Sequence, residues 1–181
     1  MAIRLVVFDA IGTAILDGGA VQQTMRETLA TTGLEMRSGA MDGVAGMTKF
    51  QAIRTLLEGH GRDDLLPRAD AIHADFAARV IRRYRADAGV AEMPGAVEAF
   101  DTLRRAGVRV AIDTGFTREV LDVVLGRVGW AGEDGPLDAT VASDEVPRGR
   151  PHPDMIDALR TRLGGIPYAE VAKVGDTPID L

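Results

Sequence analysis

The second half of the chain constrains the fold most. From Met93 onward, short apolar runs alternate with stretches of helical period. Pro94 opens a helix that carries Val97, Phe100 and Leu103 on one face and stops at Gly107; 108–112 then reads as a strand. A helix over 117–128 turns Val120, Leu121, Val124 and Val128 inward, 139–142 is a short strand, 153–163 a helix, and 171–174 a strand that runs into Gly175-Asp176. Strands separated by helices in this way close through right-handed crossovers into a parallel sheet. One more strand of that sheet is expected at the start of the chain, residues 3–8 (IRLVVF), bounded by Asp9 and Gly12.

Between these two parts the texture changes. Val21, Met25 and Leu29 recur every fourth residue and end at Gly33; a second helix is expected over 48–58, ending at Gly59. A longer one runs from about 66 to 87, with Ile72, Phe76, Val80 and Tyr84 as its stripe. The spacing therefore predicts an α/β protein: a doubly wound parallel-sheet core from 1–16 and 91–181, interrupted after its first strand by an α-helical block over 17–90. No internal repeat or low-complexity tract stands out. In such sheets the working residues lie just past the carboxyl ends of the strands. Those ends are Asp9, Asp113-Thr114-Gly115, the segment 143–150 and Gly175-Asp176.

Composition removes several function classes. The chain has 21 basic and 27 acidic residues in 181, a formal net charge of −6, and no cluster of Lys and Arg stands out, so neither nucleic acid nor an anionic membrane is an expected partner. The absence of cysteine excludes disulfides, thiolate metal sites and a cysteine nucleophile. His60, His73 and His152 lack metal-ligand spacing. The apolar run before Asp9 is only a strand's length, too short for a signal-peptide core or a membrane span, so a cytoplasmic protein is expected.

Asp9-x-x-Gly12-Thr13, Thr114-Gly115, Arg150-Pro151 and Gly175-Asp176-Thr177-Pro178-x-Asp180 stand in that order at the four strand ends. Each motif alone is common. Together, with a helical block inserted after the first, they resemble the four motifs of the haloacid dehalogenase superfamily. The stretches DTGFTREVLD, DEVPRGRPHPDM and KVGDTPID are similar to its phosphonatase-like branch, that of phosphonoacetaldehyde hydrolase, as is GMTKFQAIRTLLE in the insert. The resemblance implies a Rossmann-like core with a helical cap, and a hydrolase acting on a small phosphorylated or phosphonate substrate. It implies Asp9 as the nucleophile, Lys49 as an imine-forming lysine, and Arg150 and Thr114 as further catalytic groups. Gly12, Thr13, Gly46, Thr114, Gly115 and Arg150 would surround the phosphoryl group. Mg²⁺ would be held by Asp9, the backbone carbonyl of Ile11 and Asp176, with Asp180 in support. Cap-mediated dimers occur in the resembling family, so a homodimer is an expectation. Family members also continue past the fourth motif, so the chain ending at Leu181 is expected to be a fragment with apolar surface exposed beside its last strand.

One feature of the first motif selects the chemistry. Two residues after Asp9, where a phosphomonoesterase carries a second acid, stands Ile11. An alkoxide leaving group gains from a proton donor, but a carbon fragment leaving phosphorus gains instead from an electron sink, and a protonated lysine imine is one. Lys49 must be neutral to form it, and at a pKa near 10.4 only about one lysine in a few thousand is neutral at pH 7. Burial between cap and core is the expected remedy. The branch's alanine is here Ile11, the histidine three residues after its lysine is Ala52, and the tyrosine after Thr-Gly is Phe116. Other readings stay open at this level: a phosphatase of the same superfamily, a haloacid dehalogenase, or a non-catalytic phosphate- or Mg²⁺-binding module. Taken singly, Asp9 could cap a turn and Lys49 could be a surface charge on an amphipathic helix.

Overall fold

The run Leu5-Val6-Val7-Phe8-Asp9, apolar and rich in β-branched residues, forms a central strand, β1 (Leu5–Asp9). The computed structural model describes residues 2–86, 89–132 and 134–180. β1 pairs in parallel with β4 (Arg109–Thr114) on one side and β6 (Val171–Val174) on the other; β5 (Ala139–Ala142) extends the sheet beyond β4, giving the order β5-β4-β1-β6. Register places Asp9 directly opposite Asp113.

Alternation along the strands feeds both faces. Leu5, Val7, Ala111 and Val141 pack with Met155 and Leu159 of α6 (Asp154–Arg162). Val110 and Ile112 face the other way, toward Phe100 of α4 (Ala96–Arg105) and Val120, Leu121 and Val124 of α5 (Arg118–Arg127). Phe100 meets Phe8 and Trp130 edge-on at centroid distances of 5.0 and 5.3 Å, a favourable aromatic geometry. Helices on both faces of a parallel sheet are the doubly wound arrangement that the alternation predicts.

Two-residue strands β2 (Ile15–Leu16) and β3 (Ala91–Glu92) pair antiparallel and bring together the two ends of the intervening segment. They are too short to carry a periodic signal. Within the segment lie α1 (Ala20–Ala30), α2 (Lys49–Gly59) and α3 (Ala69–Arg85). The stripe Ile72, Phe76, Val80 and Tyr84 is buried as its spacing predicts. The α-helix starts two residues beyond Pro67, however, and the preceding residues Asp63–Arg68 form a 3₁₀ turn. Proline brings no N–H to an α-helical ladder and clashes with the turn before it. The expected last residue of this helix, Asp87, lies outside the described residues. Met25, Leu29, Ile53, Leu57, Phe76 and Tyr84 join Ala10, Phe116 and Val120 in one apolar cluster, so the helices pack directly onto the sheet layer. No helix among the described residues is long and apolar enough to cross a membrane.

Candidate active site

Parallel strands end on one rim, and the residues just beyond β1, β4 and β6 share a cavity of about 370 Å³ with the helical segment. Asp9, Ile11, Gly12, Thr114, Gly115, Arg150, Asp176 and Thr177 line it from the sheet side. Gly46 and Lys49 line it from the helical side. Of the residues singled out in the sequence, Thr13 and Asp180 stand outside the lining and reach it through partners. Thr13 Oγ1 donates to Asp176 Oδ1 at 3.0 Å, and Asp180 pairs with Arg150.

Asp9, Asp113 and Asp180 bring carboxylate oxygens within 4.8 Å of one another. All three are buried, as is Arg150. Arg150 Nη2 donates to Asp9 Oδ1 at 2.6 Å, to the Asp113 carbonyl at 3.0 Å and to the Asp113 carboxylate. Its Nη1 lies 2.8 Å from Asp180 Oδ1. Lys173 Nζ adds contacts of 2.6 Å to Asp113 and 3.3 Å to Asp180. Three acids close together have the look of a cation site, but two protein cations already stand among them. Arg150 Nε is buried and makes no hydrogen bond among the described residues. Asp113 enters the sequence reading only as part of a strand end, without a role, and Lys173 is given no role there. The available signal was a charge following the apolar run 110–112 and another within the apolar run 171–174, and charges so placed are seldom buried without a partner.

Burial pushes the Asp9 carboxyl up from its ordinary value, while Arg150 and Lys173 pull it the other way. Burial also opposes the charge on Arg150, but Asp9, Asp113 and Asp180 together hold its pKa above the ordinary one. For Asp180, burial is outweighed by hydrogen bonds from Thr177 and by the charges of Arg150 and Lys173, which hold its pKa down.

Lys49 opens α2. Its N-cap residue Thr48 accepts a hydrogen bond from Gln51 N at 3.3 Å, the usual device for satisfying a first-turn N–H. The Lys49 backbone N–H donates to the Gly115 carbonyl at 3.1 Å, tying helix to sheet rim. Its Nζ lies 3.4 Å from the Met47 carbonyl and 5.3 Å from the centre of the Phe116 ring. Burial lowers the Lys49 pKa and Arg150 works in the same direction, against Asp9, Asp17 and Asp176. Asp17 also lines the cavity, yet its oxygens accept from Gly19 N and Val21 N, each at 2.9 Å, and from Tyr84 Oη at 3.3 Å. Thr114 Oγ1 accepts from Phe116 N at 3.2 Å, which fixes the turn after β4.

The seam between helices and sheet is tight at backbone level. A Cβ at Gly115 would lie 2.6 Å from the Met47 carbonyl oxygen, and one at Gly149 would overlap the Thr48 methyl group. At Gly12 (φ 94°) a Cβ would stand 2.5 Å from Asp176 Oδ2, so the Asp176 carboxylate rests on the turn after β1.

A family model described as haloacid dehalogenase-like hydrolase matches residues 3–181. The chain is 29% identical over 191 residues to the phosphonoacetaldehyde hydrolase of Syntrophobacter fumaroxidans, covering 99% of this chain and 67% of the relative. It is 28% identical over 201 residues to that of Bacillus cereus, covering 100% and 71%. Among solved structures, a phosphonoacetaldehyde hydrolase-like protein from Oleispira antarctica superposes with a TM-score of 0.86 at 23% identity, over 99% of this chain and 68% of that one. That likeness is one of fold.

Proposed function

The chain belongs to the haloacid dehalogenase-like hydrolases, and within that family we propose a phosphonatase-like reaction. It is the Mg²⁺-dependent hydrolysis of a carbon–phosphorus bond in phosphonoacetaldehyde or a related phosphonate, through an aspartyl-phosphate on Asp9 and an imine on Lys49. One observation carries this: the Asp9 carboxylate and the Lys49 amine line a single cavity. Residue 11 offers only a hydrocarbon side chain there, and the inserted segment brings the Lys49 amine into the same cavity.

The donor set for the metal is Asp9, the Ile11 carbonyl and Asp176. Two carboxylates and a carbonyl are the hard oxygen donors that Mg²⁺ takes, with room for waters and substrate. The Asp176 carboxylate is steadied for this by Thr13 and by the bare Gly12 backbone. A metal held by these residues would neutralise the repulsion between the Asp9 carboxylate and the phosphoryl oxygens.

The chain's own residues do the rest. Lys49, its charge disfavoured by burial, attacks the substrate carbonyl as a neutral amine and becomes a protonated imine. Asp9, oriented by Arg150, attacks phosphorus, and the electron pair of the breaking bond flows into the imine to give an enamine. Gly12, Gly46, Thr114 and Gly115 surround the phosphoryl group, Thr13 acts through Asp176, and Arg150 contacts the group while Asp180 pairs with the guanidinium. Water then releases phosphate from Asp9 and the carbonyl product from Lys49. The phosphatase alternative needs a proton donor beside Asp9. Asp113 is near enough, but Arg150 and Lys173 both hold its carboxylate, which keeps it from that part.

Borohydride trapping with phosphonoacetaldehyde and peptide mass mapping tests the proposal. The expected adduct lies on Lys49, and Lys49→Ala loses both the adduct and about a thousandfold or more in kcat/KM. Mg²⁺-dependent phosphate release that survives this substitution undiminished rejects the imine. Separately, Mg²⁺ at ten times its Kd should stabilise the wild type by about 1.4 kcal/mol in thermal unfolding, and Asp176→Asn should lose that gain.

A further inference from the structure

The cavity is larger and more apolar than a two-carbon phosphonate needs. The phosphoryl-facing floor occupies one side only. Val21 and Met25 of α1, Met41 and Val44 of the segment before α2, Ala52 of α2 and Phe116 add hydrocarbon to the lining, all from one apolar cluster. Apart from half-buried Val21, these side chains are buried even though they line open space. Ala52 stands one helical turn beyond Lys49, on the same side of α2, because residues three apart are neighbours on a helix surface. Its methyl group leaves the space beside the lysine amine unfilled. A volume of about 370 Å³ falls at the lower end of the range that accommodates drug-sized ligands.

Charge narrows the occupant further. Lys49 and Arg150 are the basic residues among those lining the cavity. Arg150 is already shared among three carboxylates, and Lys49 is reserved for the carbonyl on the proposed mechanism. A carboxylate on the substrate would find no uncommitted cation among these residues and would share the cavity with Asp17. That residue cannot serve a hydroxyl-rich substrate well either, since its oxygens are taken by the start of α1 and by Tyr84. Gln22 is the one side-chain amide among the lining residues, so a polyol phosphate would leave most of its hydroxyls against hydrocarbon, each at the cost of an unmade hydrogen bond.

Resting on the proposed imine chemistry, we infer that the substrate is a 2-oxoalkylphosphonate: a phosphonate whose carbonyl carbon bears an alkyl or aryl group that packs against Val21, Met25, Met41, Val44 and Phe116. The Lys49 amine condenses with the ketone, releasing water and forming a protonated ketimine. The carbon–phosphorus bond breaks as Asp9 takes the phosphoryl group, and its electron pair moves into the ketimine to form an enamine. The enamine takes a proton at the former phosphorus-bearing carbon. One water returns Lys49 and sets free the methyl ketone; a second returns Asp9 and sets free phosphate. With the water given up on condensation, the sum is one phosphonate and one water giving one methyl ketone and one phosphate.

The test compares phosphonoacetaldehyde with 2-oxopropyl-, 2-oxobutyl-, 2-oxopentyl- and 2-oxohexylphosphonate on the wild-type chain with Mg²⁺, following phosphate release and borohydride trapping on Lys49. Burying one more methylene favours binding enough that kcat/KM should climb about fourfold per carbon until the cavity is full. Val21→Phe, which places a ring in that space, should flatten the climb. Phosphonoacetaldehyde reacting as well as or better than every ketone, with a Lys49 adduct, overturns the alkyl pocket and leaves the imine mechanism standing. No adduct and no phosphate from any of the five compounds overturns both.

Discussion

Lys49 meets two opposed demands. The proposed imine formation wants a neutral amine, and burial beside the Phe116 ring and near Arg150 lowers the lysine pKa in that direction. Folding gains nothing from that burial, since the unfolded chain keeps the same amine charged and hydrated. With the folded pKa below the unfolded one, the unfolded state binds more protons between the two values, and stability rises with pH across that window. The cost is present in full below the folded pKa and is gone above the unfolded one. Lys49→Met should therefore stabilise the protein at pH 7, on the order of 1 kcal/mol. The gain should shrink as pH climbs toward 10.5, the ordinary lysine value. Urea unfolding at a series of pH values measures it. The same shift predicts that kcat/KM of the wild type rises with pH along a limb whose midpoint lies below 10.5. A midpoint at the ordinary value would mean that the amine reacts while solvated.

Between elements, the seam that buries Lys49 depends on small residues rather than on large apolar ones. Gly149 accepts the Thr48 methyl group, and Gly115 accepts the carbonyl of Met47. Gly149→Ala should push the start of α2 off the rim, costing about 1–3 kcal/mol in stability and lowering kcat/KM at least tenfold as the lysine becomes wet. Thr48→Ser in the same chain removes the clashing methyl, keeps a hydroxyl for the N-cap, and should restore most of both losses. Thermal unfolding and phosphate release on the single and double variants decide it; failure of the second change to rescue would place the fault elsewhere. This seam also marks where the sequence stops being legible. The alternating strands and the Ile72–Tyr84 stripe could be read because each repeats with a physical period. Asp9 and Arg150, which the structure brings to one cavity with Lys49, stand in ordered motifs, while Lys49 is marked only by the similarity of the stretch around it. β2 and β3 could not be read, since a two-residue strand has no period. The contacts of Gly149 and Gly115 could not either, because a glycine's reason for being small is a neighbour far away in the chain.

Taken as a whole, the molecule gathers five charged side chains where β1, β4, β6 and the segments after β5 and β6 converge. Asp9, Asp113 and Asp180 set three negative charges against the two positive charges of Arg150 and Lys173. Asp113 and Lys173 belong to strands that β1 separates, so the pair links the sheet across its central strand. Breaking a buried pair by removing one partner is costly, and the imbalance of one acid has the same origin. Asp9 is the member that the fold does without most easily: the other two acids already balance the two cations, and burial holds its own carboxyl above the ordinary value. A carboxyl raised in the folded state costs stability in full above its folded pKa; the cost fades as pH falls through that pKa and is gone below the unfolded value near 3.8. Asp180, held down instead, contributes stability that is lost as pH falls, but it is common to the wild type and the variant. Asp9→Asn should thus be inactive and yet more stable than the wild type by about 1–2 kcal/mol at neutral pH, with the two proteins converging toward acid. Calorimetry without Mg²⁺ at pH 7 and pH 4 measures the difference. A variant less stable than the wild type at pH 7 would show that Asp9 is needed to balance Arg150, and that the three acids and two cations act as one structural unit.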